Sequence, residues 1–81
     1  MTTSELTVVQ ILADILSAKN LPVPEITPDT ALNTELGLES LDFAELVVRL
    51  EEDMGKDPFA NGTGAHIRTV SDLARLYDAN Q

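Results

Sequence analysis

Apolar residues recur at helical spacing in two long stretches of the chain, and the first predicts a helix from about Ser4 to Lys19. Its apolar positions lie three and four residues apart, which places them on one face of a helix. They are Val8, Ile11, Leu12 and Ile15, with Val9 and Leu16 widening the stripe. Thr2 and Thr3 provide side-chain oxygens for the free N–H groups at the helix start. We expect Lys19 to interact with the negatively polarised carboxyl end.

The second stretch predicts a helix from Leu41 to about Met54, with Ser40 as its N-cap and Gly55 as its C-cap. Its core-facing stripe consists of Phe43, Leu46, Val47, Leu50 and Met54. Carboxylates occupy much of the remaining surface. One face of this helix is therefore predicted to be buried and the other to be solvated and acidic.

The segment between these two helices, residues 21–38, is predicted to be a long loop. Pro22, Pro24 and Pro28 disfavour a continuous helix there, because proline lacks the N–H group that a helix interior uses. A short helical turn over residues 28–32 is still compatible with the sequence. Apolar side chains spaced along the loop indicate that it folds back onto the core.

The last third of the chain predicts two further helices. Asp57, Pro58 and Phe59 resemble a cap followed by a first helical proline, which indicates one short helix. Residues 69–72 form a capping-box sequence with aspartate in place of glutamate and begin the final helix. The apolar stripe of that helix comprises Val70, Leu73, Ala74 and Tyr77. Fraying is expected from Asp78 onward.

Together these elements predict one all-α domain spanning residues 1–81. Its architecture is a small four-helix bundle with a short third helix and a long first loop. The chain is long enough for a single modest core, and its lack of cysteine excludes disulfides and thiolate metal sites. The amino terminus has no signal-peptide pattern, so we expect a cytoplasmic protein. We also expect it to be a monomer.

Negative charge is concentrated in the middle of the chain and limits the choice of partners. The net charge is −9, and the segment from Glu35 to Asp57 holds eight acids against two bases, a net of −6. Such a field disfavours nucleic acid and anionic membranes as partners. It favours basic protein surfaces and accelerates their encounter with this chain.

Ser40 is the strongest candidate for a chemical role, although a serine at a helix start is ordinarily only an N-cap. In that role it would contribute about 0.5–2 kcal/mol to stability. It lacks an activating partner, because its surroundings are not a nucleophile elbow and His66 is the only histidine. His66 also has no second His or Cys with which to ligate a metal. Neither an enzyme nor a metal site is therefore predicted.

The residues around Ser40 resemble the modification site of acyl carrier proteins. Residues 36–42 read Leu-Gly-Leu-Glu-Ser-Leu-Asp, and the family pattern is a Leu-Gly pair, then Asp-Ser-Leu, then an acidic helix. Glu39 departs from this pattern, in which aspartate is usual before the serine. The resemblance implies that Ser40 carries a 4′-phosphopantetheine arm from coenzyme A, with Glu39 beside it. The chain would then be the substrate of a phosphopantetheinyl transferase and a carrier, not an enzyme.

The resemblance also implies a docking face on the second helix. Its members are Leu41, Asp42, Glu45, Val48, Glu51 and Glu52. The carboxylates would meet Arg or Lys on an acyl-loading ligase or transferase and on downstream enzymes, with the two apolar side chains between them. Arg49 interrupts the acidic surface and indicates dedicated partners.

The resemblance further implies that the cargo, an acyl or aminoacyl thioester, is sheltered between helices. The residues expected to line the acyl chain are Phe43, Leu46, Val47, Leu50 and Ile67. A dedicated lipid or secondary-metabolite pathway fits this kind of stand-alone carrier. The residues alone leave one alternative open, an unmodified acidic helical interaction module that binds a basic protein partner. That alternative explains the charge but leaves the spacing of glycine, serine and leucine to chance.

Overall fold

The computed structural model describes residues 1–33, 36–55 and 67–79, and their regular structure is helical. Helix α1 spans Thr3–Ala18, α2 spans Ser40–Met54 and α3 spans Val70–Ala79. The all-α architecture is confirmed, and three helices lie within one or two residues of their predicted bounds. The short helix predicted to begin at Asp57 lies outside the described residues.

Helix α1 begins at a capping box that Thr2 and Glu5 form. The Thr2 Oγ1 accepts a hydrogen bond from the Glu5 N–H at 3.1 Å, and the Glu5 Oε1 accepts one from the Thr2 N–H at 2.7 Å. These bonds satisfy donors that a helix start otherwise leaves to water. The buried stripe of α1, in which every side chain is at most 3% exposed, consists of Val8, Ile11, Leu12, Ile15 and Leu16.

Backbone hydrogen bonds cap the carboxyl end of helix α1. Asn20 adopts a left-handed conformation with φ of +61°, which asparagine tolerates better than most residues. The Asn20 N–H donates to the Ser17 carbonyl and the Leu21 N–H to the Leu16 carbonyl, both at 3.0 Å. The side chain of Lys19 was expected to serve this helix end. It extends instead to the loop that precedes α2.

The loop of residues 21–38 pairs with the segment that leads into α3. An isolated antiparallel bridge joins Ala31 to Thr69, and the Leu32 N–H donates to the Arg68 carbonyl at 2.8 Å. The helical turn considered for residues 28–32 is therefore wrong. The Thr30 N–H closes a single turn onto the Thr27 carbonyl at 3.0 Å, but the Pro28 and Thr30 carbonyls accept hydrogen bonds from the Ser71 and Val70 N–H groups of another segment. This pairing fixes the loop next to the start of α3.

Helix α2 buries Leu46 and Leu50 completely, and Phe43 packs against the same core. Gly55 ends the helix in a left-handed conformation with φ of +67°, and its N–H donates to the Glu51 carbonyl at 2.8 Å. The predicted glycine C-cap is thereby confirmed.

Helix α3 begins at the predicted capping box. The Thr69 Oγ1 accepts from the Asp72 N–H, and the Asp72 Oδ2 accepts from the Thr69 N–H, both at 3.2 Å. The predicted stripe, in which every side chain is at most 1% exposed, consists of Val70, Leu73, Ala74 and Tyr77. Asp78 was expected to fray, but it is helical and accepts a hydrogen bond from the buried Ser4 hydroxyl.

Helix α1 contacts both other helices, and all three contribute to one hydrophobic core. Ile26 and Leu38 from the loop join this core, at 7% and 5% exposure. Within the described ranges, no helix has the length and apolar character needed to cross a membrane.

Candidate functional site

Gly37 brings the loop into close contact with the end of α1. Its φ is +97°, a conformation that glycine adopts readily because it has no Cβ atom. A Cβ atom at this position would lie 2.8 Å from the Leu21 Cδ1, so a larger residue would have to displace that side chain. The following residue, Leu38, is anchored in the core. Gly37 and Leu38 thus fix where the chain enters α2.

Ser40 occupies the first helical position of α2, next to the N-cap. The N-cap is Glu39, with φ of −109° and ψ of 173°, and its N–H donates to the Asp42 Oδ2 at 2.9 Å. The prediction that Ser40 caps the helix is therefore wrong, because Glu39 and Asp42 perform that function. Ser40 is exposed, and no residue in the described part of the chain hydrogen-bonds to its hydroxyl.

Lys19 joins the end of α1 to the start of α2. Its Nζ donates to the Gly37 carbonyl at 3.0 Å, forms an ion pair with Asp42, and lies 3.9 Å from the Glu39 Oε2. We call Lys19, Gly37, Glu39 and Asp42 the Lys19 cluster. The position of Lys19 in this site was not predicted from the sequence. Its contacts cross 18 and 23 positions of the chain, and no local spacing pattern indicates them.

Lys19 and Asp42 stabilise each other's charged forms. The hydrogen bond from Lys19 holds the pKa of Asp42 below its ordinary value, and the Glu39 N–H acts in the same direction. The same hydrogen bond raises the pKa of Lys19. The Asp42 side chain, predicted to belong to the docking face, is only 18% exposed and already paired. Its role in docking stays a prediction.

Other predicted docking residues share one exposed face of α2. Positions 41, 45, 48 and 52 follow the helical period and therefore lie on the same side of the helix. Leu41 is 83% and Val48 51% exposed, and Glu45 and Glu52 are also exposed. Glu51 is partly buried beside them. Acidic and apolar groups thus alternate on one accessible surface of α2.

Arg49 connects this side of α2 to α1. Its Nη2 lies 3.3 Å from the Asp14 Oδ2, and its Nη1 lies 3.9 Å from the Glu45 Oε2. Exposed ion pairs of this kind contribute at most about 1 kcal/mol each. Arg49 therefore assists helix packing modestly, and it lowers the local negative field at Glu45.

The residues predicted to line a cargo chain belong mostly to the core. Leu46 and Leu50 are fully buried, while Phe43, Val47 and Ile67 are partly exposed. A separate open pocket of about 310 Å³ is lined by Leu21, Pro22, Pro24, Leu36 and Gly37. None of the predicted lining residues borders that pocket. Cargo lining by the core residues stays a prediction, and it requires the helices to separate.

The chain matches known proteins in both sequence and fold. A family model described as the phosphopantetheine attachment site matches residues 7–77. The chain is 35% identical over 68 residues to an acyl carrier protein of Azobacteroides pseudotrichonymphae genomovar. CFP2, covering 83% of this chain and 80% of that protein. It is also similar, at 40% identity and a TM-score of 0.78, to the solution structure of MacpD. That protein is an acyl carrier protein from Pseudomonas fluorescens involved in mupirocin biosynthesis, and the match covers 90% of this chain and 66% of the MacpD chain.

The described residues fit the covalent group that this family carries. A phosphodiester on the Ser40 Oγ would lie at the positively polarised start of α2. Ser40 is exposed, and Leu41 beside it is directed largely into solvent, so a modifying enzyme can reach the hydroxyl. The family match over residues 7–77, the curated relative and the similar fold all indicate the same family. The chain belongs to the acyl carrier protein family, whose members are phosphopantetheine-dependent carriers and not enzymes.

Proposed function

We propose that Ser40 is the attachment point of 4′-phosphopantetheine. The observation that carries this proposal is the exposed hydroxyl at the first position of α2, which no described residue engages. Ser4 is buried and bonded to Asp78, and Ser71 is partly buried. Ser17 is exposed, but it lies in the last turn of α1, where the helix dipole disfavours a phosphate.

Attachment would form a bond between the Ser40 Oγ and the β-phosphorus of coenzyme A. The phosphoanhydride bond breaks, adenosine 3′,5′-bisphosphate leaves, and the hydroxyl proton passes to a base on the transferase. The transferase must supply that base, because no described residue hydrogen-bonds to the Ser40 hydroxyl. When bound, the arm supplies a terminal thiol that holds an acyl or aminoacyl group as a thioester.

The exposed face of α2 supports a docking role towards the enzymes that load and use the cargo. Leu41 and Val48 offer apolar contacts, and Glu45 and Glu52 offer partners for Arg or Lys. Charged faces of this kind accelerate encounter, and a small contact area permits rapid release. A carrier that visits several enzymes in turn requires both properties.

We infer that the carrier serves a dedicated pathway as a monomer in the cytoplasm. Arg49 interrupts the acidic surface near Glu45, so the charge pattern is specific and not uniform. The similarity to MacpD, described as involved in mupirocin biosynthesis, supports a secondary-metabolite pathway over general lipid synthesis. Acyl and aminoacyl groups are both compatible with the site.

Intact mass measurement tests the attachment point. The purified protein is incubated with coenzyme A, Mg²⁺ and a broad-specificity phosphopantetheinyl transferase. The wild type and Ser17→Ala should each gain one phosphopantetheine group, while Ser40→Ala should gain none. Modification of Ser40→Ala, or no gain by the wild type with several transferases, would contradict the proposal. The latter result would favour an acidic interaction module that acts without modification.

A further inference from the structure

We propose that Lys19 is a positioning residue for modification at Ser40, an inference that rests on the proposed function. Lys19 lies at the end of α1, yet its contacts are with residues three before, one before and two after Ser40. These are the carbonyl of Gly37 at 3.0 Å, the carboxylate of Glu39 at 3.9 Å and the ion-paired Asp42. A single ammonium group therefore contacts residues on both sides of the serine in the sequence.

The hydrogen bonds of the Lys19 cluster determine where the first turn of α2 lies relative to α1. The Asp42 Oδ2 accepts from both Lys19 and the Glu39 N–H, so Lys19 fixes the carboxylate that caps the helix. Lys19 also holds the Gly37 carbonyl, at the point where the chain turns towards α2. Its side chain is 27% exposed, and this partial withdrawal from water strengthens the polar contacts. Without Lys19, the first turn of α2 would lose this polar link to α1.

Lys19 also changes the charge that a new phosphodiester would meet. Glu39 and Asp42 lie on either side of Ser40 in the sequence, and their carboxylates repel a further negative group. Of the cations in the described ranges, Arg49 is paired with Asp14 and Glu45, while Arg68 and Arg75 lie in or just before α3. Lys19 is thus the described cation that contacts this end of α2. Position and charge both point to Lys19 as a determinant of the modification rate.

Steady-state kinetics of modification test the proposal, with the carrier as the varied substrate. Lys19→Met keeps an unbranched side chain and removes the ammonium group. We expect kcat to fall roughly ten- to a hundredfold with KM little changed, since misplacement of a reacting group lowers the rate at saturation. Arg75→Met, which removes an equal charge from the exposed surface of α3, should be modified at the wild-type rate. Lys19→Arg should restore part of the loss.

A double-mutant cycle separates positioning from charge. Lys19→Met combined with Asp42→Asn restores the wild-type net charge, so a purely electrostatic effect would be additive and would diminish at high salt. Positioning through Asp42 predicts instead that Lys19→Met has a much smaller effect in the Asp42→Asn background. Hydrogen exchange of the Glu39 amide, which Asp42 protects at 2.9 Å, should accelerate in Lys19→Met while core amides of α1 do not change.

The outcomes distinguish this inference from the proposed function. A folded Lys19→Met protein with wild-type kcat would overturn it, as would an equal loss in Arg75→Met or an additive cycle. Each of those results leaves the attachment at Ser40 intact. If the wild type is not modified, or if Ser40→Ala is, the proposed function itself fails and the role of Lys19 fails with it.

Discussion

The Ser40 hydroxyl is available for chemistry because its neighbours perform the capping of α2. The Glu39 N–H bonds to the Asp42 carboxylate, so the helix start is satisfied without a serine oxygen. A serine that served as the N-cap would have to give up its hydrogen bond on modification. At this site, the hydroxyl that is modified and the groups that cap the helix belong to different residues.

Replacement of Ser40 should therefore leave stability almost unchanged. We expect Ser40→Ala to alter the free energy of unfolding by no more than about 0.5 kcal/mol, as for other exposed positions. Thr2→Ala is the matched control, because Thr2 is a true N-cap and its loss should cost about 0.5–2 kcal/mol. Urea unfolding monitored by circular dichroism measures both. A loss for Ser40→Ala as large as that for Thr2→Ala would show that the serine caps the helix after all.

Of the two described glycines with positive φ, Gly37 should be the one whose replacement by alanine costs more stability. Alanine at a left-handed position costs roughly 1–2 kcal/mol, and at Gly37 its Cβ would also lie 2.8 Å from the Leu21 Cδ1. At Gly55 the space around a Cβ is open, so Gly55→Ala should incur backbone strain alone. We expect Gly37→Ala to be the less stable in urea unfolding, and Leu21→Ala to reduce the difference. Equal losses would mean that the contact with Leu21 carries no cost.

Ser40 could be predicted from the sequence, but the residues that hold it in place could not. The glycine, serine and leucine spacing is local, so it can be read along the chain. By sequence, either Ser40 or Glu39 could be the N-cap of α2. The structure selects Glu39, because its N–H donates to the Asp42 carboxylate. The contacts of Lys19 depend on how α1 and α2 pack, which local pattern does not encode.

The helices themselves were predictable because the signals for their bounds lie next to their ends. The capping boxes at Thr2 and Thr69 and the glycine at position 55 each act over three or four residues. The loop of residues 21–38 was different, since its backbone pairs with residues 68–69 near the other end of the chain. Long-range pairing of this kind follows from the tertiary fold, and the local prediction of a helical turn there failed for that reason.

Helix capping by aspartate should make the fold sensitive to acid. Hydrogen bonds from the Arg68 N–H and from Thr69 lower the pKa of Asp72, and Lys19 lowers that of Asp42. A carboxyl whose pKa is depressed by folding stabilises the protein fully above its ordinary value of about 3.8. That stabilisation is lost as the pH falls through the lower pKa of the folded state. The midpoint of urea unfolding should therefore decrease below about pH 4.

Two variants identify the source of this acid sensitivity. Asp72→Asn should be less stable than the wild type at neutral pH and should lose less stability on acidification, because its cap no longer titrates. Asp53→Asn removes an equal charge from the exposed surface of α2 and should keep the wild-type slope. Parallel pH profiles for Asp72→Asn and the wild type would contradict the assignment to the α3 cap.

Helix α1 is the element on which the other two helices depend. It contacts both of them, and Leu12 on its inner face is fully buried. Leu12→Ala should cost about 2–5 kcal/mol, a large part of the stability of a domain this small. Leu41→Ala removes the same atoms from a side chain that is 83% exposed and should cost no more than about 0.5 kcal/mol. Thermal unfolding measures both variants. Similar losses of stability in Leu12→Ala and Leu41→Ala would contradict this prediction.

The loop between α1 and α2 also implies that the Lys19 cluster forms late in folding. Lys19 meets Gly37 and Asp42 only after the intervening chain has closed, and that closure carries an entropic cost before any contact offsets it. Contacts of this kind tend to form after the rate-limiting step, so their removal accelerates unfolding more than it slows folding. We expect Lys19→Met to increase the unfolding rate constant and to leave the refolding rate constant nearly unchanged. The slopes of both limbs of the chevron plot should stay the same. A nascent or partly folded chain would then lack the arrangement around Ser40, and attachment of the arm would mark those copies that have completed folding.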